Sequence, residues 1–352
     1  MLLKLESILI YSMFAFFISL MLYPLYILLL KRIKAWKTLR EDSTSWWSAT
    51  IFNNLHWHKI WTPTMWGGLI ILVVALLVLF SYVLQWMWII TFSLLTREET
   101  YIILFAFFSM WILGLIDDYL NIKWVWKVKW LTAKMKLIWM FLFSAFISYW
   151  FYFRLWISSV NIRPLWYELD LWFLYAIFTF IFTIAIVNAI NIADWLDWLV
   201  WWLTVMVLFV LWVITFFYWW YLATTVIWIV LWSMLAFLWF NINPAKIFIW
   251  DSWALALGWL ISSLVYLIDI RAWILIPFMI LFAIFWLEIA TSFLQIFWKK
   301  VFKKKLFAIA PFHHLLEYKW NAEYTIVMKL WLIQWVLSAL TLTLVFYQFQ
   351  TI

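Results

Sequence analysis

The 352-residue chain has no cysteine, only four glycines and little charge: 11% of residues are Asp, Glu, Lys or Arg, against 70% hydrophobic. The lack of cysteine excludes disulfides, thiolate metal sites and a cysteine nucleophile. The lack of charge excludes a soluble globule, which is about a quarter charged and about half apolar. The net charge of +8 does not call for a nucleic-acid partner, because in a membrane protein such an excess collects in cytoplasmic loops.

Apolar runs fill the chain instead. Runs long enough to cross a bilayer, about 20 residues each, fall near 8–30, 66–92, 101–117, 134–156, 171–190, 199–219, 221–240, 252–268, 272–297 and 325–347. They predict an all-α, polytopic integral membrane protein with about ten transmembrane helices and cytoplasmic active-site loops, as one transmembrane domain over 1–352. The first run is too long for a signal-peptide core and has no small-x-small site, so it is expected to stay as a span. Ten spans place loops 31–65, 118–133, 191–198, 241–251 and 298–324 on one face. With the adjoining span ends, these loops carry 19 of the 24 basic residues. The positive-inside rule makes that face cytoplasmic and puts both termini outside, in a plasma membrane whose lipid is the surrounding partner.

The missing glycine has a counterpart in 36 tryptophans. Average glycine usage of about 7% would give ~25 glycines here. Tryptophan stands where turns need glycine's freedom: Asp194-Trp195-Leu196-Asp197-Trp198, Trp250-Asp251-Ser252-Trp253 and Met65-Trp66-Gly67-Gly68. Interfacial enrichment of tryptophan explains neither its place inside loop motifs nor the lack of glycine. The expectation is a gene that reads UGA as glycine, translated here with UGA as tryptophan. Trp195, Trp198 and Trp250 are the clearest cases, and Trp239 is expected to be a true tryptophan.

The polar residues gather at span ends on the basic face. Asp117 and Asp118 close the third run, where the helix macrodipole opposes negative charge. The pair is either a solvated helix end or a cation site that divides the roles of metal ligand and base. Asn188, Asn191, Asp194 and Asp197 have a spacing of three and form one polar edge if helical. That edge resembles a ligand or metal site more than a simple cap. Asp251 either caps the eighth span or binds a divalent ion. His313 and His314, with Glu317 nearby, lie in a basic loop and suit phosphate contact or proton transfer. The lysines at 299–305 suit anionic lipid. Carboxylates beside lysines on one face equip a protein for Mg²⁺-assisted phosphoryl transfer at the bilayer surface.

In order along the chain, the motifs resemble those of the phospho-N-acetylmuramoyl-pentapeptide transferase (MraY) family. With glycine restored, Lys59-Ile-Trp61-Thr62-Pro63-Thr64-Met65-Trp66-Gly67-Gly68 resembles K-x-G-T-P-T-M-G-G. Asp117-Asp118-Tyr119 resembles D-D-Y, and Lys129 through Lys136 resembles K-G-L-x-x-x-x-K. Asn188 through Leu199 resembles N-A-V-N-L-T-D-G-L-D-G-L. Phe248 through Gly258 resembles F-M-G-D-x-G-S-L-A-L-G, and Ala310 through Glu317 resembles A-P-x-H-H-H-x-E. The chain departs from the family at Leu315, where a third histidine is usual, at Asn121, where a lysine often stands, and at Ala193, where threonine is usual.

The resemblance implies Mg²⁺-dependent transfer of phospho-MurNAc-pentapeptide from UDP-MurNAc-pentapeptide to undecaprenyl phosphate, by a ten-span protein that is usually a homodimer. It implies Mg²⁺ at Asp251, with Asp117 and Asp194 as further metal candidates, and Asp117 and Asp118 serving the lipid phosphate. Lys59, Asn241, Phe248 and Asp197 would form a uridine pocket. Asn188, Asn191, Asp194, Thr64 and Lys136 would line the phosphate region, with His313 and His314 at the cytoplasmic rim. One alternative is a WecA-type HexNAc-1-phosphate transferase, which would normally lack Thr62-Pro63-Thr64-Met65 and Ala310-Pro311. Another is a transporter, whose carboxylates would sit near mid-span.

Overall fold

A computed structural model describes residues 2–33, 67–123, 133–162, 167–194, 196, 198–218, 220–242, 246–247, 251–320 and 322–350. In chain order the helices are α1 (Leu2–Arg32), α2 (Gly67–Trp86), α3 (Glu98–Lys123) and α4 (Ala133–Tyr149), the last continued by a π turn, Trp150–Arg154. Two short strands follow, β1 (Ser159–Ile162) and β2 (Tyr167–Asp170). Then come α5 (Phe173–Ala193), α6 (Leu199–Phe217), α7 (Tyr221–Asn241), α8 (Asp251–Ala272), α9 (Leu275–Leu281), α10 (Ala283–Phe302), α11 (Phe312–Trp320) and α12 (Glu323–Gln350).

Among the described residues, eight helices are long and apolar enough to cross a membrane, and α9 with α10 makes a ninth if the bent pair is one span. The predicted tenth is α3, whose apolar part, Thr100–Ile116, is shorter than the others. The expected span at 272–297 is broken: α9 and α10 meet at 72°. The expected short connection around 157–170 contains an antiparallel β-hairpin, with Ser159 opposite Asp170 and Ile162 opposite Tyr167.

Lipid explains which faces are exposed. α2 carries no charged residue along its 20 positions, which at 1.5 Å each span about 30 Å, the thickness of a hydrocarbon core. Met21 on α1 and Leu332 and Val336 on α12 are 74%, 67% and 68% exposed, as helix faces bathed in acyl chains can be. Several threonine hydroxyls within the spans bond to their own helix. Thr204 donates to Val200 O at 2.6 Å and Thr225 to Tyr221 O at 2.6 Å, which satisfies these donors where water is absent.

The core is built around α8. Of its apolar stretch 94% is buried, against 22% in α1. It packs along α3, α5 and α6. A Cβ at Gly258 would come within 2.6 Å of Val187 Cα, so glycine there is what lets α8 press on the backbone of α5. Two tyrosine bonds lock the same pair. Tyr266 donates its only hydroxyl proton to Thr179 O at 2.9 Å, so Thr183, 2.8 Å from the same oxygen, is the donor in their bond. At the far end Asp269 joins three elements. Its carboxylate accepts from Leu275 N–H at 2.9 Å and Asn161 N–H at 3.4 Å, and its carbonyl accepts from the Asn161 amide at 3.0 Å. A cavity of about 170 Å³ beside it is lined by Ser159, Asn161, Glu168, Tyr175 and Tyr266.

Candidate active site

At the opposite end, α5 stops at Ala193, so the expected polar edge is helical only in part. Asn188 and Asn191 lie on the helix, and Asn188 donates to Ile184 O at 2.8 Å. Asp194 has left it, with φ −86° and ψ 57°. The chain then turns into α6 through Trp198, at φ 57° and ψ −4°. Asn241, the last residue of α7 and 2% exposed, fixes that turn. Its side-chain oxygen accepts from Trp198 N–H at 3.1 Å, and its amide donates to Ile247 O at 2.8 Å. One side chain thus ties the 194–198 turn to the 242–247 connection. Among the described residues, one amide proton and one oxygen lone pair of Asn241 take no further bond.

The two histidines are not loop residues at a rim. They sit in α11, following the cis Ala310–Pro311 bond, and are 0% and 4% exposed. Burial is possible because each has a carboxylate. His313 Nδ1 lies 2.9 Å from Glu288 of α10, and His314 Nδ1 lies 2.9 Å from Glu317. Glu288 is fully buried. Glu288 Oε1 and His313 Nε2 have no hydrogen-bond partner among the described residues. Gln295, two turns along α10, holds the connecting loop. Its oxygen accepts from Leu306 and Phe307 N–H at 3.1 and 2.8 Å, and its amide donates to Phe307 O at 3.0 Å.

Glu288 was not among the expected site residues. The signal was present, since it is the one acidic residue in the apolar run 272–297, and an ionisable residue inside a span marks function by default. Of the other expected residues, Lys136 is half-buried near the start of α4. Asp117 and Asp118 lie in the last turns of α3 and Asp251 opens α8. Phe107, in the first half of α3, and Trp253, in the first turn of α8, pack ring to ring at 5.4 Å. The side chains of these three aspartates, and all of Lys59, Thr64, Asp197 and Phe248, lie outside the described residues. Among the described residues no three His, Cys, Asp or Glu side chains cluster as a metal cage.

Residues 100–269 match the model of glycosyl transferase family 4. The chain is 29% identical over 323 residues to the phospho-N-acetylmuramoyl-pentapeptide-transferase of Petrotoga mobilis, covering 92% of this chain and 93% of that protein. It is 29% identical over 321 residues to the protein of that name from Listeria monocytogenes serovar 1/2a, covering 90% and 91%. The Bacillus pumilus protein of the same name is 26% identical over 328 residues, covering 93% and 94%.

Proposed function

The chain belongs to the phospho-N-acetylmuramoyl-pentapeptide-transferase family, and from that premise we propose that it makes lipid I. In this reaction a phosphate oxygen of undecaprenyl phosphate attacks the sugar-linked phosphorus of UDP-MurNAc-pentapeptide. The bond to the second phosphate breaks and UMP leaves. The observation that carries the reading is similarity over nine-tenths of both proteins, which spans every motif rather than one.

The proposed site lies at the end of the bundle where α3 and α7 finish and α8 begins, facing the cytoplasm of a plasma-membrane protein that acts as a homodimer. Asn241 braces the 194–198 turn, and its remaining donor and acceptor suit a uracil edge. Lys59, Phe248 and Asp197 complete the uridine pocket. Asn188, Asn191, Thr64 and Lys136 receive the diphosphate. Asp117 and Asp118 serve the incoming lipid phosphate, and His313 and His314 stand beside the transfer.

Mg²⁺ fits the donors available. Asp251, Asp117 and Asp194 are hard oxygen ligands, the chain has no thiolate, and Mg²⁺ characteristically takes one or two carboxylates plus substrate phosphates. Bound there, it would neutralise charge on the phosphoryl oxygens as the bond breaks. The test is UMP release by the detergent-purified protein from UDP-MurNAc-pentapeptide and undecaprenyl phosphate, with and without EDTA. Release that needs both substrates, stops with EDTA and returns with Mg²⁺ is the expected result. The reading fails if no UMP appears from a folded preparation under those conditions.

A further inference from the structure

Glu288 and His313 form a fully buried pair in which only the inner atoms are used. Glu288 Oε2 is 2.9 Å from His313 Nδ1 and 3.4 Å from His313 N, so the carboxylate grips both the ring and the backbone of that residue. This places the proton on Nδ1 and leaves Nε2 with a free lone pair, because the bond at one ring nitrogen sets the tautomer of the other. Nε2 and Glu288 Oε1 are both buried without a partner among the described residues, a state that buried polar groups seldom keep without a ligand. We propose that Glu288 is a positioning residue that fixes His313 in the tautomer presenting Nε2 to substrate. The inference rests on the reading of His313 as part of the transfer site.

The experiment compares UMP release by wild type, Glu288→Gln, Glu288→Leu and His313→Ala, with thermal midpoints measured on each. Glutamine keeps an acceptor for Nδ1–H, whereas leucine keeps the volume and loses the acceptor. The expected result is a loss of ~10²-fold in kcat for Glu288→Leu, with KM for the nucleotide sugar unchanged, and recovery of most of that loss in Glu288→Gln. Equal activity of the glutamine and leucine variants, with His313→Ala inactive, overturns the positioning role alone. Full activity in His313→Ala overturns the site reading, and this inference with it.

Among the described residues six non-glycine residues have positive φ, and five are tryptophans: Trp88 at 61°, Trp156 at 57°, Trp172 at 50°, Trp198 at 57° and Trp273 at 50°. Tryptophan is 36 of 352 residues, so chance would place fewer than one among six. All five stand at helix or strand boundaries, where a left-handed glycine is the usual device. Trp172, with ψ −131°, lies outside even the left-handed well open to other residues. Trp88, Trp156 and Trp172 are 94%, 83% and 71% exposed, so packing of the indole does not hold their backbone in place. Trp198 has a buried indole nitrogen with no partner among the described residues, against the habit of buried tryptophan.

We infer that the functional protein carries glycine at positions 88, 156, 172, 198 and 273. Peptide mass spectrometry of the protein purified from its source decides the matter, with position 239 as an internal control. Glycine at the five positions with tryptophan at 239 is expected, and tryptophan at the five positions overturns the inference. Recombinant protein carrying Trp88→Gly, Trp156→Gly, Trp172→Gly, Trp198→Gly and Trp273→Gly together is expected to melt several degrees above the chain as written. A lower midpoint overturns the claim that these turns are built for glycine.

Discussion

The two ends of α8 handle buried polar groups in opposite ways. At the outer end Asp269 is 7% exposed, and both carboxylate oxygens are taken by backbone amides of the hairpin and of α9. Elsewhere, among the described residues, buried polar groups keep spare capacity: half of Asn241's amide just before α8, and Glu288 Oε1 and His313 Nε2 between α10 and α11. A carboxylate whose partners all come from its own chain is a staple. Buried atoms without a partner among the described residues are groups that a ligand would complete. The cavity next to Asp269 does not reverse this, because its most buried acid is already spent on structure.

The contrast breaks most sharply if one helix's two aspartates are exchanged in role. Asp251→Ala should lower UMP release on the order of 10²–10³-fold, measured on protein whose thermal midpoint is unchanged. Asp269→Ala should do the reverse. Each orphaned amide costs about 1–3 kcal/mol, seen as a lower midpoint, while activity per folded molecule stays near wild type. A catalytic defect in folded Asp269→Ala would mean that the outer end also works in the reaction. Between the two ends, Gly258→Ala should cost about 1–3 kcal/mol by overpacking, because the methyl would meet the backbone of α5; the thermal midpoint reports it. The smallest effect is expected at Ser159→Ala. Its hydroxyl donates to Glu168 at an exposed position of the hairpin, and the change should fall within about 0.5 kcal/mol in the same melting assay.

The helices were legible because bilayer thickness sets a length that apolar runs reveal directly, as in α2 and α6. The hairpin was not, since two four-residue strands between charged and aromatic residues leave no periodicity to read. The break between α9 and α10 falls at Leu281, Phe282 and Ala283, with neither glycine nor proline among them; Pro277 lies inside α9. Packing against α12 and α5, not local propensity, accompanies that bend. For the site, Asn188, Asn191 and Asp194 were legible as a set by spacing alone. Their geometry was not, because the helix ends between Asn191 and Asp194. The burial of His313 was hidden because its partner Glu288 lies 25 residues away, inside an apolar run. The glycine deficit was legible from composition, but only backbone angles single out individual positions.

The burial of α8 also carries a consequence for biogenesis. Its main packing partners, α3, α5 and α6, all precede it in the chain. With an aspartate at its first residue and another near its last turn, α8 would be a poor guest in bare lipid. Synthesis from the N-terminus lets it leave the ribosome after its cradle has been made. The most buried of the spans is therefore suited to enter protein rather than membrane. Moving its coding segment ahead of α3 should leave it stranded at the insertion machinery, even though every contact in the finished fold could still be drawn.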